Sequence, residues 1–163
     1  MSGALVTEQA GQFGAALPEG GALMGLDLGT RTIGTAFCDA GWTFATAGKT
    51  LPRGKYSRDR AALEALISER GIKGIVIGLP LNMDGTAGPR VQASRAFARN
   101  LAQDSGGLGL PVLLWDERWS TAAAERDMIA QDFSRAKRAE KIDSHAAAVI
   151  LQAAIDRLAG GVF

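Results

Sequence analysis

ALMGLDLGTRTIGTAFCD, residues 22–39, holds two short apolar runs, 22–28 and 33–39, on either side of the turn Gly29-Thr30-Arg31-Thr32. Gly41 turns the chain again, and WTFATAGKTL, residues 42–51, reads as a third extended run. Three such runs joined by tight turns predict an antiparallel meander. The period then changes. Residues 57–71, SRDRAALEALISERG, carry Ala62, Leu63, Leu66 and Ile67 at helical spacing, with Ser57 as the expected N-cap and Gly71 just past the end. KGIVIGL, residues 73–79, and PVLLWDE, residues 111–117, are continuous apolar runs of the kind found in strands buried on both faces. Between them, residues 90–103 place Val91, Ser94, Phe97, Ala98 and Leu101 on one side of a helix. Helices over 120–131 and 142–159, separated by a basic loop, complete the chain. The order βββ-α-β-α-β-α-α predicts an α/β domain: a mixed five-stranded sheet, three antiparallel strands then βα units, with helices on both faces. Residues 21–163 form this domain. Residues 1–20, Gly/Ala-rich and without a base, are expected to be a mobile tail.

At 163 residues, 47% hydrophobic and 21% charged, the chain has the composition of one globular domain. Disorder throughout, a coiled coil and a collagen-like chain are excluded. A net charge of +1, from 18 Lys and Arg against 17 Asp and Glu, gives no bulk attraction to nucleic acid, so any such surface must be local. The lone Cys38 cannot form an internal disulfide or a cysteine zinc site and reads as core. No run is long or apolar enough to span a bilayer, and the N-terminus lacks the basic start of a secretory signal, so a cytoplasmic protein without membrane contact is expected.

Four acids stand out. Asp27 interrupts an apolar strand, where a charge is seldom buried unless it is paired or metal-bound; capping the turn at Gly29 or Thr30 is the alternative. Asp116 and Glu117 end the last strand, and as neighbours they should point to opposite faces. Asp143 starts the final helix three residues before Ala146, near the apolar face of Ala146, Val149, Ile150 and Ala153. Strand ends and helix starts of a mixed sheet converge on one rim. Carboxylates gathered there repel each other, and hard divalent cations such as Mg²⁺ relieve that repulsion. With a single His, His145, and no His-x-x-x-His pattern, a histidine-ligated zinc site is not expected.

GLDLGTRTIGTAFCD, IVIGLPLNMDGTAGPR, WDERWSTAAAE and KIDSHAAAVILQ resemble, in order and at family spacing, four blocks of the YqgF/RuvX family. Its members are known as pre-16S rRNA nucleases and Holliday-junction-resolvase-like proteins. The resemblance spans residues 22–158. It implies a ribonuclease H-like fold and a metal-dependent phosphodiesterase acting on structured nucleic acid, either precursor rRNA at its 5′ end or branched DNA. The family's acids fall on Asp27, on the Asp116–Glu117 pair and on Asp143, with Glu117 preferred and Asp116 given the lesser role. The implied reaction is in-line attack of water on a phosphodiester at two Mg²⁺ or Mn²⁺ ions, bridged by Asp27 and completed by Glu117 and Asp143.

Substrate contacts are expected from Thr30 and Arg31 beside Asp27, from Arg118 beside Glu117, and from Asn82 in the shaped loop GLPLNMDG. One basic cluster, Lys49, Arg53, Lys55, Arg58 and Arg60, surrounds the third strand and first helix. A second, Arg135, Lys137, Arg138 and Lys141, fills the loop before Asp143, and its first three members are expected to touch substrate phosphates. Trp42, Trp115 and Trp119 could stack bases, although Trp115 follows a core strand. Two other classes stay open at this point. GLDLGTRTIG also resembles the first phosphate-binding hairpin of sugar-kinase and actin-like ATPases, which need a second such domain. A nucleic-acid-binding protein on a nuclease scaffold with little catalysis is the third reading.

Overall fold

The computed structural model describes residues 3–120 and 135–160, and of residues 135–141 and 143 the backbone alone. The meander forms as expected, from β2 (Leu23–Leu28), β3 (Thr32–Cys38) and β4 (Ala45–Pro52). Asp27 lies opposite Gly34, and Gly34 opposite Thr50. Helix α2 (Tyr56–Arg70) follows, then β5 (Gly74–Leu79), α3 (Pro89–Ala102) and β6 (Val112–Asp116). β5 pairs in parallel with both β2 and β6. A single 3-10 turn, Glu117–Trp119, ends this run, and α4 (Arg135–Ala159) closes the chain. The three antiparallel strands and two parallel ones give the α/β, ribonuclease H-like arrangement that the sequence implies, with strand order β6-β5-β2-β3-β4.

The sheet has six strands rather than five, because the expected tail is part of the fold. Val6–Thr7 forms β1, which pairs in parallel with Val112 and Leu113 of β6. Ala10–Ala16 forms α1, and Phe13 on it is completely buried. One aromatic and a pair of strand residues anchor this segment. That is too little periodicity to stand out in a Gly/Ala-rich sequence.

Alternation along the strands separates two cores. Met24, Leu26, Leu28, Ile75, Ile77, Leu79, Val112 and Leu114 pack against α2 and α3. Leu23, Val76, Leu113 and Trp115 pack against α1 and α4. The α3 face expected from the sequence is the buried one, with Pro89 at its first turn. α2 starts two residues early, and its N-terminus is held differently from expectation. Lys55, not Ser57, is the N-cap residue and makes no side-chain cap bond. The buried Asp59 instead accepts from the Gly54 N–H at 3.1 and 3.2 Å. The helix stops at Gly71, whose φ of 64° is the left-handed conformation that glycine adopts without steric cost.

The basic loop expected before Asp143 is also corrected: residues 135–141 are the first turns of α4. Ala, Lys, Arg and Glu fill this stretch, and all four rank among the strong helix formers. The helix expected over 120–131 falls outside the described residues except for Ser120. Among the described residues, no helix is long and apolar enough to cross a membrane.

Candidate active site

Asp27 is the fifth residue of β2 and only 2% exposed. On the same strand Gly25 lies directly under Leu151 of α4, with 2.8 Å from a Cβ built there to the Leu151 Cβ. Asp27, two residues on, therefore points to the α4 side of the sheet. Glu117, 6% exposed, reaches that side too. Its carboxylate folds back over Gly78 of β5, where a Cβ would come within 3.0 Å of Oε2 and 3.1 Å of Cγ. Leu26 is in register with Ile77, so Asp27 and Gly78 are the next positions on neighbouring strands, about 4.8 Å apart. The two carboxylates are thus held one strand apart on one face, and Glu117 Oε1 is buried from water.

α4 runs across this face against the direction of β2. At one end Gln152 Oε1 accepts from the Ala45 N–H at 2.8 Å, level with Cys38 and Leu23. At the other end the buried Ser144 hydroxyl hydrogen-bonds that of Thr50, level with Gly34 and Asp27. The backbone of Asp143 therefore lies at the Asp27 end of the sheet, one helical turn before Ala147, whose carbonyl oxygen would be 3.1 Å from a Cβ at Gly25. Its side chain is outside the description, and the described side chains alone make no cluster of three ligands. Buried carboxylate oxygens on a shared face fit a hard divalent cation such as Mg²⁺, which takes oxygen ligands.

Asp116 has a different environment. It falls on the opposite parity from Trp115 and is gripped by Arg118. The Arg118 guanidinium donates to Oδ1 at 3.0 Å and to Oδ2 at 2.6 and 3.1 Å, and its backbone N–H donates to Oδ1 at 2.9 Å. Burial pushes the Asp116 carboxyl up, but the hydrogen bonds and charge of Arg118 outweigh it and leave the group below its ordinary range.

Arg118 also donates to the Met83 carbonyl at 3.3 Å, tying the loop after β5 to the end of β6. Within that loop Asn82 donates from its side chain to Thr86 Oγ1 at 2.9 Å, and its N–H donates to the Thr86 carbonyl at 3.0 Å. Asp84 accepts from the Thr86 hydroxyl and N–H, and these bonds hold its carboxyl below the ordinary range. Asn82 and Met83 remain exposed at the rim.

Thr30 and Arg31 are exposed in the turn just beyond Asp27. Two arginines brace that turn from beneath: Arg53 donates to the Gly29 carbonyl at 2.6 Å and Arg90 to the Leu28 carbonyl at 3.2 Å. Arg90 was invisible as a site residue in the sequence, where it reads only as the start of α3. Gly78 was equally missed, although a glycine inside a buried strand is a recognised sign of close approach. Of the second basic cluster, Arg135, Lys137 and Arg138 lie on the backbone of α4 two turns and less before Asp143. Trp42 is at the far end of the sheet, donating to the Gly21 carbonyl at 2.8 Å, so Trp119 is the exposed tryptophan on the carboxylate rim. Cys38 is core as expected, and burial pushes its thiol up to about 11.

Residues 21–157 match the family model described as "RuvX: Holliday junction resolvase". A protein of Novosphingobium aromaticivorans named "Putative pre-16S rRNA nuclease" is 64% identical over 98% of this chain and 100% of its own length. A Sphingopyxis alaskensis protein of the same name is 63% identical, covering 94% of this chain and 99% of that one. A solved structure described as "T. thermophilus RuvC in complex with Holliday junction substrate" matches with a TM-score of 0.47 at 13% identity, covering 86% of this chain and 94% of that one. On the extent of the family match and the identity to these relatives, this chain belongs to the RuvX family.

Proposed function

We propose that this protein is a metal-dependent nuclease that hydrolyses phosphodiesters of structured nucleic acid, and that its substrate is the 5′ end of pre-16S rRNA. The observation that carries this reading is the pair of buried carboxylates: Asp27 on β2, and Glu117, which follows β6 and folds back over the neighbouring strand β5, both on the face covered by the helix that bears Asp143. Asp27, Glu117 and Asp143 would hold a pair of Mg²⁺ or Mn²⁺ ions. Such a pair stabilises the attacking and leaving oxygens of an in-line displacement and makes water nucleophilic at neutral pH. Asp116 is the lesser ligand candidate, since its carboxylate already serves Arg118. Its role is to fix Arg118, which in turn positions the Asn82 loop at the rim. Thr30, Arg31, Asn82 and Arg118 would meet the strand near the scissile phosphate. Arg135, Lys137 and Arg138 would take backbone phosphates further along. The protein would work in the cytoplasm, where precursor rRNA is processed.

The rRNA reading follows the names of the relatives more than 60% identical to this chain. Branched DNA is the second reading, favoured by the description of the family model. Family membership over residues 21–157 removes the kinase and actin-like alternative, since the hairpin that suggested it lies inside the match. Cleavage of precursor rRNA and of a four-way DNA junction, measured in parallel with Mg²⁺, Mn²⁺ and chelator, is the direct test. Specific cleavage of the junction with intact rRNA would reverse the substrate assignment. Absence of cleavage of either, with tight binding, would favour a catalytically silent scaffold.

Two variants examine the residue roles. Glu117→Gln is expected to lower cleavage at least ~10-fold more than Asp116→Asn under one condition, because neutralising a metal ligand costs more than loosening an outer partner. The reverse ranking would move the ligand role to Asp116. Replacing Arg135, Lys137 and Arg138 by Ala should make the slope of log K against log salt shallower by up to about 2–3 units, if each neutralises one phosphate. An unchanged slope would shift the phosphate surface to the cluster around Arg53 and Lys55.

A further inference from the structure

β1 pairs with only Val112 and Leu113, so among the described residues no strand covers the edge of β6 from Leu114 onward. There a cavity of about 370 Å³ opens between the strand edge, the start of α1 and the end of α4. Gln9, Trp115, Asp116, Arg118, Trp119 and Arg157 are among its walls. The volume is in the range of small-ligand sites, about 300–1,000 Å³.

Three features of the walls indicate what fits. Trp119 is 61% exposed, and its ring meets Trp115 edge to face at 5.6 Å and 84°, which leaves aromatic surface open to a ligand. Trp115, 5% exposed, backs that ring from the core. The acids on the wall are largely answered: Asp116 by Arg118 at 2.6 Å, and Glu8 by Arg95 at 3.5 Å. Arg157 adds a cation at the far side. An aromatic platform and a nearly neutral wall with one extra cation suit a flat heteroaromatic ring attached to a phosphate.

We infer that this cavity receives one unpaired nucleobase of the bound strand, stacked on Trp119. Trp119 is two residues from Glu117, so the base belongs to a nucleotide close to the cleaved phosphate. Stacking on an aromatic side chain tolerates any base and selects single-stranded over paired nucleotides. The site thus makes the enzyme favour junctions, overhangs and loops over continuous duplex. The inference rests on the nuclease reading for its strand, but it concerns binding and can be measured without divalent ions.

The experiment uses the full chain in chelator and three RNA duplexes: one with a short 3′ overhang carrying 2-aminopurine, one with an abasic residue at that position, and one blunt. The wild type should bind the 2-aminopurine overhang about 10-fold more tightly than the other two, the scale expected for one stacked base. Its fluorescence should be quenched on binding. Trp119→Ala, at an exposed position that the fold does not need, should abolish both the preference and the quenching, while Trp119→Phe keeps most of each. Wild-type preference in Trp119→Ala, or equal binding of the abasic duplex by the wild type, would overturn the inference. Binding of AMP alone as tightly as the overhang would also overturn it, by making this a free-nucleotide site. Loss of all cleavage activity with the overhang preference intact would sink the nuclease reading alone. Cleavage without any preference would sink the subsite alone.

Discussion

Asp27→Asn is expected to lower metal-dependent cleavage by more than ~100-fold in a protein that remains fully folded. Losing an outer-shell partner of a metal ligand already costs roughly 10–100-fold, so losing a ligand should exceed it. The side chain is 2% exposed in a strand that is buried along its whole length. An amide of the same shape keeps the packing and removes a buried charge that faces the same side of the sheet as Glu117. In chelator the variant should therefore unfold at a temperature no lower than the wild type. Cleavage time courses with Mg²⁺ and a thermal melt in chelator decide the matter together. Wild-type cleavage by the folded variant would remove Asp27 from the site.

Gly78→Ala is expected to damage both stability and activity, and the two effects can be separated. A Cβ on Gly78 would lie 2.6 Å from Ile150 Cδ1 and 3.0 Å from Glu117 Oε2. Overpacking of this kind costs about 1–3 kcal/mol, which corresponds to a fall in melting temperature of roughly 2–12 °C for a domain of this size. Displacing the Glu117 carboxylate should independently lower cleavage. Ile150→Val deletes the very atom that makes the closer clash. The double variant Gly78→Ala, Ile150→Val should therefore regain most of the stability lost by Gly78→Ala and little of its activity. Full recovery of cleavage in the double variant would show that Glu117 does not need its place over β5.

The strands and helices that frame this site were legible because their patterns are local. β5 is an unbroken apolar run, β6 is one up to Asp116, and Asp27 is conspicuous as the one charge in β2. α2 and α3 carry their buried faces at helical spacing and their breakers at the ends. The N-terminal segment was not legible. Its contribution is a two-residue bridge to β6 and one buried phenylalanine, and neither has a period. The basic turns of α4 were misread as a loop because charge was weighed above helix propensity.

The sequence alone determined the α/β class, the antiparallel start and parallel finish of the sheet, and the acids available to the site. Each follows from apolar periodicity or from a charge set in an apolar run, and both are properties of neighbouring residues. Strand parity could say that Asp116 and Glu117 diverge, but not which of them turns toward Asp27. That depended on which face α4 covers, and so on contacts between residues far apart in the chain. Ile150 and Leu151 lie over Gly78 and Gly25, and Ser144 meets Thr50, which puts Glu117 on the Asp27 side and leaves Asp116 to Arg118. The open edge of β6 was likewise decided in three dimensions. A cavity forms where β1 stops pairing, and no residue of β6 carries a local mark of where its partner ends.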